Sequence, residues 1–158
     1  MTDPTSRRVG NAEVLFILFA VNVCSVLDRT VFSITAPAIA KELKLSDGEI
    51  GALAGLLFSA FYATLGIPIA RLADRGNRGV IISASLAAWS VITMATGLAS
   101  NFFQMALARI GVAVGEAGAT PASHSVLSER YKLAELPAAM AVHSAGAPVG
   151  AAIALAAG

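Results

Sequence analysis

Charge is scarce in this 158-residue chain: Lys, Arg, Asp and Glu together make up 13% of it. Soluble domains carry about a quarter charged residues. With 56% hydrophobic residues, the composition is that of a membrane protein before any motif is read. Cysteine is nearly absent. Cys24 alone excludes an intrachain disulfide and any cysteine-based metal cluster; inside an apolar run it reads as a small packing residue. A net charge of +1 gives no basis for nucleic-acid binding. No zinc motif, Ser/His/Asp set or phosphate-binding loop occurs, and the glycine-rich stretches lie inside apolar runs. Neither an enzyme nor a cofactor is expected. A secretory signal is excluded too, because the first apolar run is too long and no small-residue cleavage site follows it.

What the chain does have is long apolar runs. Residues 1–13 are a polar N-terminal segment, and residues 14–158 read as a membrane bundle. Its helices are expected at about 14–40, 48–70, 79–99, 102–127 and 137–158, each long enough to cross a bilayer. Between the second and third lies only a short charged turn around Arg71–Arg78, which demands an antiparallel hairpin. Lys and Arg set the orientation. Arg7, Arg8, Arg71, Arg75, Arg78, Arg130 and Lys132 gather on one side, and only Lys41 and Lys44 on the other. The N-terminus, the 2–3 loop and the 4–5 loop are therefore expected in the cytoplasm, the bilayer being the plasma membrane.

Small residues recur every fourth position: Gly51, Gly55, Ser59 and Ala63; Gly111, Gly115, Ala119 and Ser123; Gly146, Gly150, Ala154 and Gly158. In lipid, close backbone approach through such stripes holds helices together. Pro37, Pro68, Pro121 and Pro148 fall in or near spans, where each removes a backbone donor.

Four ionisable residues stand inside the spans: Asp28, Arg29, Arg109 and Glu116. Each costs about 2.5–3.5 kcal/mol at mid-bilayer on insertion scales, so they mark a functional site. From the helical rise, Asp28 lies roughly 18 Å below the outer end of helix 1, and Arg109 and Glu116 roughly 11 and 21 Å below that of helix 4. Helices 1 and 4 could thus bring two acids and two bases together. Arg109 and Glu116, seven apart, share a face that Thr120 and Ser123 extend, while Gly111, Gly115 and Gly118 project elsewhere. Asn22, Ser25, Arg29 and Ser33 form a similar stripe on helix 1. Adjacent Asp28 and Arg29 do not face each other, so each is expected to pair with another helix. The alternative is a set of ion pairs that only fixes helix positions. His124 and His143 are expected to be packed or near headgroups.

The turn reads Gly66-x-x-x-Ala70-x-Leu72-Ala73-Asp74-Arg75-Gly76-Asn77-Arg78. It resembles the loop between helices 2 and 3 of the major facilitator superfamily of secondary transporters. The usual glycine two residues after Asp-Arg is Asn77 here, and only Arg78 of the usual basic pair remains. Val26-Leu27-Asp28-Arg29 and Arg109-Ile110-Gly111-Val112-Ala113-Val114-Gly115-Glu116-Ala117 are similar to the spinster-like branch. The resemblance implies an all-α polytopic fold: five transmembrane helices of an incomplete six-helix N-terminal half, in a transporter of about twelve helices. It implies Asp28 and Glu116 as proton carriers, Arg29 and Arg109 as their partners or contacts of an anionic solute, and Asp74, Arg75 and Arg78 as a cytoplasmic gate, with Arg130 and Lys132 as available cations. The partners implied are protons, a small organic or amphiphilic anion and the C-terminal half of the same transporter, without which the piece should not transport. The competing reading is a truncated membrane-embedded interaction module that dimerises through its small-residue faces.

Overall fold

The computed structural model describes residues 10–158, with the side chains of residue 70 and residues 72–75 outside that description. Five helices cross back and forth. α1 is Asn11–Leu43. α2 comprises an α-helical turn Asp47–Gly51, a π-helical turn Ala52–Leu56 and the α-helix Leu57–Arg75. α3 is Arg78–Thr96 and α4 is Phe102–Arg130. α5 comprises Leu136–Ser144 and Gly146–Ala157.

The ends follow from local chemistry. Lys44, in the left-handed region at φ 54°, closes α1. Ser46 and Glu49 form a reciprocal capping box that starts α2, satisfying two orphan amide donors. Asn77 and Asn101 accept the amides of Val80 and Gln104 and so cap α3 and α4. Asn77, standing where the superfamily pattern has glycine, thus turns the tight α2–α3 connection into a capped one. α5 opens on Pro137 in its first turn and is interrupted at Ala145. Pro148 has no amide to give the Ser144 carbonyl, which explains the break.

Among the described residues, α1, Asp47–Ile69 of α2, α3 and Leu136–Ala157 of α5 are long and apolar enough to cross a membrane. α4 misses that mark because it carries Arg109 and Glu116, yet it holds most of the buried residues. It runs between α2 and α3 and touches α1, while α5 lies along α1. Three apolar layers fill the bundle. Phe32, Leu53 and Met105 form one, Phe58, Trp89 and Val112 the middle one, and Leu18, Leu127 and Ala139 the third. Large apolar side chains such as Phe16, Leu56, Ile67, Met94, Phe103 and Leu155 point outward, as a lipid-facing surface requires.

The small-residue stripes divide. A Cβ on Gly115 would stand 2.8 Å from the Trp89 Cβ, and one on Gly146 2.9 Å from the Phe19 carbonyl oxygen. Gly150 meets the Val23 carbonyl and Leu27 amide of α1. So α4 sits on α3, and α5 on α1, at backbone distance. The α2 stripe does not behave as expected: nothing lies within 4 Å of a Cβ at Gly51 or Gly55. Periodicity there has no facing helix among the described residues. Cys24 is also not a packing residue but is exposed, on the outer side of α1.

One end of the bundle is tied by polar contacts. The Asn11 side-chain amide donates to the Arg130 carbonyl at 3.1 Å, and the Tyr131 hydroxyl donates to the Asn11 carbonyl at 2.9 Å. Arg78 pairs with Glu129 at the same end. These contacts join the starts of α1 and α3 to the end of α4.

Candidate functional site: a double acid–base pair between α1 and α4

Consecutive helix residues point about 100° apart, so Asp28 and Arg29 leave α1 toward different neighbours. Arg29 turns to Glu116. Its Nε–H donates to Oε2 at 2.7 Å, and Nη2 reaches the same oxygen. The Ser25 hydroxyl, one turn earlier on α1, donates to that oxygen at 2.8 Å. Oε2 is crowded with donors, whereas Oε1, equally buried, has no hydrogen-bond partner. The Arg29 guanidinium lies 4.6 Å from the Phe58 ring centre and 4.9 Å from that of Tyr62, a cation–π seat that spreads its charge. Tyr62 donates in turn to Thr120 at 3.3 Å. Glu116 is only 1% exposed, but the Arg29 side chain is 36% exposed. Arg29 is thus the exposed member of the pair and Glu116 the enclosed one.

Asp28 turns instead to Arg109, with 3.7 Å between Oδ2 and Nη1. Thr93 and Trp89 of α3 lie beside the carboxylate. Arg109 is 3% exposed, its guanidinium 4.0 Å from the Phe32 ring centre and 5.0 Å from that of Phe58. Its Nε–H aims at the Leu53 carbonyl at 3.5 Å. That acceptor is a product of the π turn in α2. Leu57 donates to Ala52 rather than to Leu53, so the Leu53 carbonyl lacks its usual helical donor. A local irregularity in one helix thereby supplies a ligand to a buried cation on another, as π turns at functional sites often do. A cavity of about 270 Å³ reaches Asp28 and Arg109 between α1, α3 and α4, past Thr35, Thr93 and Thr96, from the end marked by Glu42 and Leu43.

All four intramembrane charges are therefore engaged in two pairs that cross the same interface, one above the other. Both pairings run from α1 to α4. Glu116 and Arg109 lie two turns apart on one face, so each meets its own α1 partner without competition. Ser33 does not join the pairs; its hydroxyl returns to the Arg29 carbonyl. His143 is buried and His124 exposed, their rings edge to face at 5.3 Å between centres. The side chains of Asp74 and Arg75, and residues Arg7 and Arg8, lie outside the described residues. Arg78 is described, and its partner is Glu129, which sequence reasoning missed. So were Ser25 as a ligand of Glu116, and the rings of Phe32, Phe58 and Tyr62. Their only signal was helical phase relative to Arg29 and Arg109.

Residues 18–158 match the family model described as Major Facilitator Superfamily. The chain belongs to that superfamily. It is a multi-pass membrane protein, and within the superfamily its likeness is to the spinster-like branch. A crystal structure of a bacterial homologue of the human lysosomal transporter Spinster, inward-facing and unoccupied, superposes with a TM-score of 0.88 at 40% identity, over 94% of this chain and 31% of that one. An MFS-type efflux pump of Mycolicibacterium smegmatis is 38% identical over 84% of this chain and 31% of its own length. A relative from Escherichia coli, named as a probable L-galactonate transporter, is 31% identical over 93% of this chain and 32% of its own. The chain thus spans about a third of the length of these relatives.

Proposed function

We propose that the protein is a proton-coupled secondary transporter of organic anions, and that α1 and α4 carry its acid–base core. The observation behind this reading is the accessible Arg29 on a sealed Glu116. Arg29 can serve either the Glu116 carboxylate or the carboxylate of a solute. A proton on Glu116 removes the competitor and frees Arg29 for the solute. By linkage, a solute on Arg29 favours the proton on Glu116. The two cargoes then bind together, which is the requirement for coupled movement. Asp28 and Arg109 form the second, more enclosed pair, with Asp28 as a further proton carrier and Arg109 as its counter-charge. The L-galactonate relative supports a carboxylate-bearing solute. Asp74, Arg75 and Arg78 are assigned to a gate at the Arg130 end, and that end to the cytoplasm of a cell whose plasma membrane holds the protein.

The test is uptake of labelled L-galactonate into vesicles holding the protein expressed from its native reading frame. An inward proton gradient should drive accumulation, and Glu116→Gln should abolish that dependence. Uptake that ignores the gradient, or a Glu116→Gln variant that keeps it, would overturn the reading.

A further inference from the structure

One small cavity lies where α1, α3, α4 and α5 meet. Its volume is about 10 Å³, and its polar lining includes Asn22, Ser25, Trp89, Glu116, Thr120 and His143. Such a space holds about one water molecule. Most of the lining is already engaged. Asn22 donates to the His143 carbonyl at 2.8 Å, Ser25 to Glu116 Oε2, and Thr120 accepts from Tyr62. Two buried atoms of the lining residues are left without a partner: Glu116 Oε1 and His143 Nδ1. Their residues are 1% and 4% exposed. Unpaired polar atoms at such depth are rare and call for an explanation.

We propose that one water occupies this cavity and that Glu116 exchanges its proton with His143 through it; this rests on the reading of Glu116 as a proton carrier. The donor inventory fits. His143 lies beside the Leu18 backbone. In the neutral ring with its proton on Nε2, Nδ1 is an acceptor. The water donates one hydrogen to Glu116 Oε1 when that group is a carboxylate and donates the other to His143 Nδ1. The Trp89 Nε1–H faces Asp28 instead.

Proton transfer balances without any further reactant. When Glu116 is protonated on Oε1, that O–H bond breaks as the proton passes to the water. The water gives one of its own hydrogens to Nδ1. Glu116 becomes a carboxylate already held by Arg29 and Ser25, the water is regenerated, and His143 becomes an imidazolium. The reverse sequence reloads Glu116. Other charged or titratable groups around the path are Arg29 and Asp28 from α1, Arg109 and His124 from α4 and the Tyr62 hydroxyl from α2. The exposed His124 ring lies edge to face with His143, so the relay leads toward the end of the bundle where α4 finishes and α5 begins.

The test uses the protein from its native reading frame in lipid vesicles and needs no solute. Infrared spectra after a pH jump follow the carboxyl band of Glu116, identified by its loss in Glu116→Gln. His143→Gln, and separately Ala119→Val, which fills the cavity wall while leaving every titratable group, should each slow the appearance of that band by about tenfold. A high-resolution structure should show one water within hydrogen-bond distance of both Oε1 and Nδ1. An unchanged rate in a folded variant, or a direct protein donor on Oε1, overturns the relay. If no band vanishes in Glu116→Gln, it is the underlying reading of Glu116 that fails.

Discussion

Arg29 and Glu116 meet across the α1–α4 interface through two guanidinium nitrogens on a single carboxylate oxygen, while the other oxygen has no protein partner. The one-sided geometry leaves half of the carboxylate available.

Removing only one member of this pair should be costly. Arg29→Ala strands a carboxylate that is 1% exposed, and breaking a buried pair from one side costs about 3–5 kcal/mol. Exchanging both, as Arg29→Leu with Glu116→Leu, should cost less than Arg29→Ala alone while abolishing any proton-linked transport. Unfolding titrations of the two variants and the unsubstituted protein in detergent check the order.

Arg109→Lys should be nearly as damaging as Arg109→Ala. A compact ammonium replaces neither the planar stacking on Phe32 and Phe58 nor the reach of Nε–H to Leu53. We expect a stability loss of about 2 kcal/mol or more and loss of transport. A lysine variant with native melting and native uptake would contradict the π-turn ligation.

The two kinds of stripe glycine should separate cleanly. Gly150→Ala drives a methyl into the Val23 carbonyl and should destabilise by about 1–3 kcal/mol. Gly55→Ala meets nothing within 4 Å and should be neutral or stabilising by up to about 1 kcal/mol. Thermal shifts of the purified variants decide it.

Arg78 and Glu129 are partly exposed, so their pair should contribute less than about 1 kcal/mol and weaken with salt. Glu129→Lys should barely move the melting temperature. If this end gates the pathway, the same variant alters transport rate, and the charge swap Arg78→Glu with Glu129→Arg restores it.

The five-helix plan was legible because the hydrophobic thickness of a bilayer is written directly into run length. The four charges were conspicuous for a similar reason: in an apolar run an ionised group stands out. Their separation into Asp28–Arg109 and Arg29–Glu116 was not legible, since it depends on how far α1 is rotated toward α2 and α3. The π turn at Ala52–Leu56 leaves no compositional mark beyond Gly51 before it and Gly55 within it, so its free carbonyl could not be foreseen. Gly51 and Gly55 misled because spacing reports a face, not whether another helix occupies it. His124 and His143 looked alike in sequence; only the placement of α5 against α1 buries the second.

α4 carries two charges inside its span, yet it lies at the heart of the bundle. During synthesis it follows α3 after a connection of only five residues, 97–101, and it needs α1 to neutralise both of its charges. α1 is therefore expected to stand beside α4 when α4 settles into the bilayer. Biogenesis of this protein is then not a series of independent insertions but a handover, in which a nascent helix is accepted by the membrane only in the company of one that arrived well before it.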